Sequence, residues 1–414
     1  MNIKSEAMQM HKKYQGKLAV VSKVPLANGR DLSLAYTPGV AEPCKAIKEN
    51  KDLSFEYTCR GNMVAVVSDG TRVLGLGDIG PEAAMPVMEG KAVLFKVFGD
   101  VDAVPICLDT KDPVKIIEAV RLLQPTFAGI NLEDISSPKC YDIEEALKAQ
   151  MDIPVFHDDQ HGTAIAALSA IINALRLVKK ELATAKIIVN GAGAAGTAIA
   201  RLLVNAGAKN LIVVDVNGAL YNGLSGLNRI QEQLMKTTNV HRQRGSLKDI
   251  AQGADVLIGI SVAGAFSKEI IRSMNTDAIV IAMANPEPEI SYAEAKAAGA
   301  KVAGTGRSDA PNQVNNVTVF PGVFRGAIDV RARQINEEMK IAAAYAIADL
   351  IAKNELREDY IVPDAFDPRV APAVAAAVAR AAMETGVARI QVDPEQIRVR
   401  TAGRTHLKSG KRAI

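Results

Sequence analysis

Residues Lys186–Asp215 read KIIVNGAGAAGTAIARLLVNAGAKNLIVVD. An apolar run, 186–190, enters Gly191-Ala192-Gly193-Ala194-Ala195-Gly196 without a spacer. A helical pattern follows from Thr197 to Ala206. A second apolar run, Leu211 to Val214, then ends on Asp215. A G-x-G-x-x-G string carries meaning in this context of strand, turn, helix, strand and acid within about thirty residues. Glycines there let the backbone close on a pyrophosphate, which sits at the helix N-terminus. A carboxylate at Asp215 would accept bonds from ribose hydroxyls and repel a 2′-phosphate. Val216-Asn-Gly-Ala-Leu-Tyr221 brings no Lys or Arg close behind it, so NAD is favoured over NADP. The alternative, a tight strand-to-helix turn without a ligand, is outweighed by the completeness of the context.

Downstream the alternation continues. Strands are expected at 254–260, 278–283 and 301–304, the second ending in Ala284-Asn285-Pro286. A polar loop from Gly306 carries Asn315 and Asn316, which either line a cleft or serve as turn residues. Helices are expected at 323–332, 337–352 and 371–385. A run this long exceeds what one nucleotide sheet needs, so part of it should return to the first domain. The tail from Arg398 is basic and poor in apolar residues; it reads as a solvated extension, or less readily as an oligomer arm.

Upstream, Gly129–Thr163 reads GINLEDISSPKCYDIEEALKAQMDIPVFHDDQHGT. Glu133 and Asp134 follow one apolar run, and Asp158 and Asp159 follow another, with a helical pattern between them. Two parallel strands joined by a crossover helix would bring both acid pairs to one sheet edge, where open α/β sheets bind ligands. Four carboxylates that close need a counterion, and a hard divalent cation, Mg²⁺ or Mn²⁺, suits oxygen donors. The competing reading gives Glu133 and Asp134 a surface turn and Asp159 a helix cap near Gly162.

Further upstream, 64–68 reads as a buried strand, with Asp69-Gly70 its turn and Val73-Leu74 its return. Gly75, Gly77 and Gly80 form a second G-x-G-x-x-G. Pro81 follows it at once, so it is not expected to open a long helix after a strand, and it reads as a loop and not as the dinucleotide site. Lys91 lies in a helical pattern, 83–95, and by its side-chain type is expected to snorkel to water. Buried, it would be a candidate base. Tyr36 precedes the turn Thr37-Pro38-Gly39 and reads as a core residue with its hydroxyl at the rim.

The fold class is therefore α/β with two domains. An N-terminal substrate and metal domain spans 1–160. A doubly wound nucleotide-binding domain spans 161–390, with its core at 161–316 and a helical return segment at 317–390, before a basic tail, 391–414. With 414 residues, 48% hydrophobic, there is ample material for a core. A net charge of +3 and 4% aromatics with no Trp argue against nucleic acid and membrane surfaces as partners. Cys44, Cys59, Cys107 and Cys140 are scattered, which argues against disulfides and structural zinc. The N-terminus has no apolar signal core and no run approaches bilayer length, so a cytoplasmic location is expected.

Several strings resemble the malic enzymes of the short bacterial type, over nearly the whole chain: SLAYTPGV, SDGTRVLGLGDIGPEAAMPVMEGKA, NLEDIS, FHDDQHGTA, NGAGAAG, ANPEPE and QVNNVTVFPG. Only the His157 to His161 flanks of the acids depart from larger relatives. The resemblance implies oxidative decarboxylation of (S)-malate to pyruvate and CO₂ with reduction of NAD(P)⁺, and a homodimer. It implies Lys91 as general base, Tyr36 as general acid and Asp158 as a carboxylate beside the lysine. Glu133, Asp134 and Asp159 would be metal ligands, and Arg72 the partner of a substrate carboxylate. Asn285 and Asn316 would be amides at substrate and nicotinamide. Two rival readings remain: a malolactic enzyme that releases lactate, and a catalytically dead nucleotide-binding regulator. The end of the chain at Ile414 also speaks against relatives with an acyltransferase-like extension.

Overall fold

A computed structural model describes residues 3–405. The chain opens with helix α1 (Ile3–Tyr14) and two short helical segments, Gly29–Ala35 and Ala41–Glu49, none of which buries a residue. The first sheet holds β1 (Met63–Ser68), β2 (Asp102–Cys107), β3 (Gly129–Leu132) and β4 (Val155–His157), in the order β2-β1-β3-β4. All three pairings are parallel. The crossover helices are α2 (Pro81–Gly99), α3 (Pro113–Leu122) and α4 (Lys139–Gln150). β1, MVAVVS, is apolar almost throughout because a parallel strand is covered on both faces. Val67 pairs with Leu132, and Leu132 with His157. The residues just beyond these ends, Asp69, Glu133 and Asp158, therefore leave one edge of the sheet.

Helix α5 (Asp158–Val178) starts directly on that edge and leads to the second sheet. Its elements are β5 (Lys186–Asn190), α6 (Ala194–Asn205), β6 (Asn210–Asp215), β7 (Gly218–Ala219), β8 (Val256–Gly259), β9 (Ile279–Ala282) and β10 (Val302–Thr305). The strand order is β10-β9-β8-β5-β6-β7, parallel except for β7. Chain direction across the sheet reverses between β5 and β8, the place where doubly wound sheets bind ligands.

The last helices are α7 (Phe320–Asp329), α8 (Glu337–Ala348), α9 (Val370–Glu384) and α10 (Pro394–Arg404). α7 packs on the first sheet's layer. Phe320 and Phe324 lie 4.6 and 5.2 Å from the Phe95 ring of α2, and Phe324 lies 5.8 Å from Phe156 of β4. Arg325 is buried and donates to Asn62 Oδ1 at 2.6 Å. α5, α7 and both sheets share one apolar core, so the two sheets are held by packing and not by a linker.

Five local expectations need correction. Val73-Leu74 is not a return strand: Val73 makes one isolated bridge to Gly77, and β1 connects through α2 to a parallel neighbour. The Gly75–Gly80 loop does open a long helix, because Pro81 occupies its first position, where a missing N–H costs nothing. α5 begins at Asp158, ahead of the start near Gly162 for which Asp159 is the alternative cap, which places Asp158 and Asp159 in its first turn. Part of the basic tail is the helix α10, which buries Ile397 and Thr401; residues 406–414 lie outside the described chain. Finally, α5 is long and apolar enough to cross a bilayer, but 78% of its most apolar window is buried in the protein core.

Candidate active site

Lys91 sits on the α2 stripe that carries Ala84, Met88, Ala92 and Phe95, so the helix carries it into the core. It is 7% exposed and does not snorkel. Its Nζ donates to Asp158 Oδ2 at 2.6 Å and lies 2.8 Å from Glu133 Oε1. The ring of Phe320 covers it at 4.3 Å. Burial alone would push this lysine down. The charges of Asp158 and Glu133 and their hydrogen bonds prevail and raise it above its ordinary value.

Each carboxylate around it is held from behind. Glu133 Oε2 accepts from Asn131 Nδ2 at 2.8 Å. Asp158 Oδ2 also accepts from Asn316 Nδ2, so the amide at the end of the long polar loop reaches the cleft. A Cβ at residue 162 would fall 1.9 Å from Asp158 Oδ1, so Gly162 leaves the room in which this side chain lies back along α5. Asp134 adopts a left-handed φ of 56° and its N–H donates to Asp159 Oδ2 at 2.9 Å. Its carbonyl accepts from Arg72 N at 2.9 Å, which ties the exposed Arg72 to the same turn. Behind Arg72, Asp69 accepts from Thr71 Oγ1 at 2.6 Å and from Lys139 at 2.5 Å, and Thr71 Oγ1 accepts from Ser136 N at 3.0 Å.

The cluster carries more negative charge than Lys91 neutralises. Burial first, and neighbouring carboxylates second, push Asp134 up to about 8. Burial raises Glu133 well above its ordinary value and raises Asp158, against the pull of Lys91 in both cases. Asp134 Oδ2 and Asp158 Oδ1 are buried and without a hydrogen-bond partner. Donors made only of oxygen, with orphaned atoms and excess charge, fit a hard divalent cation. Among the described residues, no three acid, His or Cys side chains are already converged on one point. Glu133 is turned to Lys91, and Asp159 caps the Asp134 turn.

The nucleotide loop lies on the second sheet. Gly191 takes a φ of 125° as β5 ends, and its N–H donates to Val214 O at 2.8 Å. A Cβ on Gly196 would lie 1.8 Å from Gly191 O, so α6 packs closely under the turn. Space around Gly193 is open. Ala192 is fixed by Gln231 Nε2, which donates to its carbonyl at 2.9 Å. α6 begins at Ala194, with Ala195 and Gly196 in its first turn. No side chain caps it, so its first N–H groups are free to meet an anion. Asp215 accepts from Asn217 N at 2.7 Å through one oxygen. Asn285 follows β9, one strand out from the reversal point, and Gly75 of the first layer lies against Pro286. Tyr141 of α4 meets Thr197 of α6 at 3.0 Å, which joins the two halves behind the cleft.

Direct bonds thus assemble Lys91, Glu133, Asp158 and Asn316, with Asp134, Asp159 and Arg72 attached through the same turn. Tyr36 is not among them. It is 67% exposed, at the C-terminus of the Gly29–Ala35 helix, with no side-chain hydrogen bond to any described residue. One residue escaped the sequence reading. Glu144 of α4 is buried and accepts from His161 Nε2 at 2.8 Å, Lys148 at 2.6 Å, and Gln160 Nε2 and His157 N at 3.3 Å. It therefore grips the segment that bears Asp158 and Asp159. Burial opposes its charge, but His161 and Lys148 hold it well below the carboxylate range. His161, buried and set beside Lys340 and Lys148, is pushed down to about 3 and donates as a neutral imidazole. Its signal was the spacing Cys140, Glu144, Leu147, which puts an acid on the core face of α4.

A doubly wound sheet with an open glycine turn, joined to a second sheet whose edge holds a lysine among carboxylates, defines a dinucleotide-binding oxidoreductase architecture. The "Malic enzyme, N-terminal domain" family model matches residues 15–148, and the "Malic enzyme, NAD binding domain" model matches 160–383. The chain is 60% identical over 402 residues to a protein of Bacillus subtilis named bifunctional malic/malolactic enzyme, covering 97% of this chain and 98% of that one. It is 52% identical to the NAD-dependent malic enzyme of Geobacillus stearothermophilus, over 94% of this chain and 80% of that one. The crystal structure of malic enzyme from Pyrococcus horikoshii superposes with a TM-score of 0.95 at 48% identity, over 99% of this chain and 97% of that one. The chain belongs to the malic enzyme family.

Proposed function

We propose that this protein converts (S)-malate and NAD(P)⁺ into pyruvate, CO₂ and NAD(P)H, with a divalent metal, in a cytoplasmic setting. The observation that carries this reading is the buried Lys91 held between Glu133 and Asp158 at the edge where the two sheets meet. Glu133, Asp134 and Asp159 are the residues that would hold Mg²⁺ or Mn²⁺. Such a cation would polarise the substrate's C2 oxygen and take up the carboxylate charge that keeps Lys91 protonated. Asp215 supports NAD as the preferred cofactor.

Lys91 then takes the C2 hydroxyl proton as hydride leaves C2 for the nicotinamide, giving oxaloacetate. Asp158 keeps the lysine in place, and Asn316 keeps Asp158 in place. Arg72, exposed at the cleft mouth, pairs with a substrate carboxylate. Loss of CO₂ leaves the enol of pyruvate, which is protonated at C3 with Tyr36 as donor. Asn285 and Asn316 orient substrate and nicotinamide. Atoms and charge balance: malate dianion and NAD⁺ give pyruvate anion, CO₂ and NADH.

The test is absorbance at the reduced-nicotinamide band with malate, Mn²⁺ and NAD⁺ or NADP⁺, set against a chelator control. A chelator-sensitive rise with one pyruvate per reduced cofactor is expected. Lactate without net reduction would indicate the malolactic reaction, which the name of the Bacillus subtilis relative brings into view. Neither product from folded, metal-loaded protein would overturn the proposal.

A further inference from the structure

We propose that Glu289 is a positioning residue for hydride transfer. It fixes the separation between the glycine turn that takes the pyrophosphate and Asn285, the amide placed at the nicotinamide. The inference rests on the functional reading above for the hydride step, and on geometry for the placement.

Glu289 ends the string Ala284-Asn285-Pro286-Glu287-Pro288-Glu289 and is fully buried. Burying a carboxylate is costly unless donors meet its oxygens. Here the donors come from two different strand ends. Ser261 N, two residues beyond β8, donates to Glu289 Oε1 at 2.6 Å, and Ser261 Oγ donates to the same oxygen at 3.3 Å. Ala284 N, two residues beyond β9, donates to Oε2 at 3.0 Å. A Cβ at Gly259 would fall 2.7 Å from both carboxylate oxygens. The last residue of β8 therefore leaves the room in which the side chain lies across the sheet edge. A carboxylate that served only its own loop would not reach β8.

The line of bonds continues to β5. Asn190, the last residue of that strand, donates through Nδ2 to Ser261 Oγ at 2.8 Å. Its carbonyl accepts from Ile260 N at 3.0 Å. Gly191 follows and starts the dinucleotide turn, so close to β8 that a Cβ on it would lie 2.5 Å from Ile260 O. At the other end Asn285 follows Ala284 directly, and its amide lies 3.7 Å from where a Cβ at Gly306 would stand. Asn190, Ser261, Glu289 and Ala284 thus link the turn at Gly191 to Asn285 across the ends of β5, β8 and β9.

The chemistry of the cofactor gives this link its use. One ribose joins the pyrophosphate to the nicotinamide. The ring carbon that accepts the hydride reaches C2 of malate only when the holders of those two groups keep a fixed separation. A displacement of about 1 Å, set up far from the chemistry, can cost about 10²-fold in rate. A carboxylate suits the task because both of its oxygens accept. An amide has one acceptor and one donor group, so either Ser261 N or Ala284 N would face a second donor and one strand end would be released.

The experiment compares wild type, Glu289→Gln and Ser261→Ala with Mn²⁺, NAD⁺ and either malate or malate deuterated at C2. Glu289→Gln should lower kcat about 10–100-fold. Its deuterium isotope effect on kcat should rise, because hydride transfer becomes the slow step, and its Mn²⁺ Kd should be unchanged. Normal kcat in folded Glu289→Gln would overturn the inference. So would a lower kcat with an unchanged isotope effect and a parallel loss of Mn²⁺ affinity, since Glu289 would then support the fold and nothing more. Should Glu289→Gln fail to fold, Ser261→Ala decides. It keeps the main-chain bond to Glu289 and cuts only the link to Asn190. Its NADH Kd in a fluorescence titration should weaken about fivefold, the worth of one hydrogen bond. That titration needs no malate. An inactive wild type would strike the functional reading, while equal NADH affinity in all three proteins would overturn the inference itself.

Discussion

Replacing Asp134 by Asn should make the metal-free protein more stable at pH 8, while abolishing its response to metal. Asp134 is pushed from an ordinary 3.8 up to about 8 by burial and by Asp159. An acid whose folded value is raised leaves the unfolded chain with fewer protons between those two values. Stability is then complete below about pH 4 and falls as pH rises toward 8. The full cost is about 6 kcal/mol above pH 8, of which about 3–4 kcal/mol appears between pH 5 and pH 8. An amide keeps the carbonyl oxygen that accepts from Leu74 N and puts N–H groups where the unpartnered Oδ2 lies. The assay is urea unfolding in chelator at pH 5 and pH 8. Wild type should lose several kcal/mol over that interval, and Asp134→Asn should lose distinctly less. Mn²⁺ at a hundred times its Kd should add about 2.7 kcal/mol to wild type and little to the variant. Equal pH slopes for the two proteins would refute the charge accounting. Equal stabilisation by Mn²⁺ would remove Asp134 from the ligand set.

Two further variants probe the supports. Glu144→Gln removes the carboxylate that grips His157, Gln160 and His161, so Mn²⁺ affinity in a direct titration should fall about 10–100-fold. Nucleotide affinity, governed by the other sheet, should change far less; parallel loss of both would mean general unfolding. Gly196→Ala forces a Cβ to within 1.8 Å of Gly191 O, so the turn must open. NADH fluorescence titration should show at least about a tenfold weaker Kd, or about 1.4 kcal/mol, with Mn²⁺ binding intact. Unchanged NADH affinity would remove this turn from the nucleotide site.

Locality decides how much of this molecule is legible in its sequence. The β5–α6–β6 unit is legible because strand, glycine turn, helix and acid are neighbours in the chain. The acid pairs are legible because parallel strands show as apolar runs, and the residues directly after such a run leave the sheet edge. Lys91 is different. Its partners lie 42 and 67 positions away, at Glu133 and Asp158, so nothing beside it signals that its charge will be met. The general habit of lysine points to the wrong outcome there. Pro81 misled for a related reason, since the same residue that ends a helix also opens one. β7 has two residues and no periodicity to read. α10 is hidden by its charges, and only Ile397 and Thr401 turn inward. Tyr36 looked like core because tyrosine near a turn usually is, yet it stands in water within a single chain.

The most direct measurement is the turnover of Lys91→Met beside wild type, with metal and nucleotide affinities measured on the same samples. Loss of a general base should lower kcat with malate by about 10²–10⁴-fold, with the NADH Kd altered little. Near-normal kcat in that variant would contradict the account, because the buried lysine between Glu133 and Asp158 would then be a structural ion pair and the proton would have to leave malate by another route.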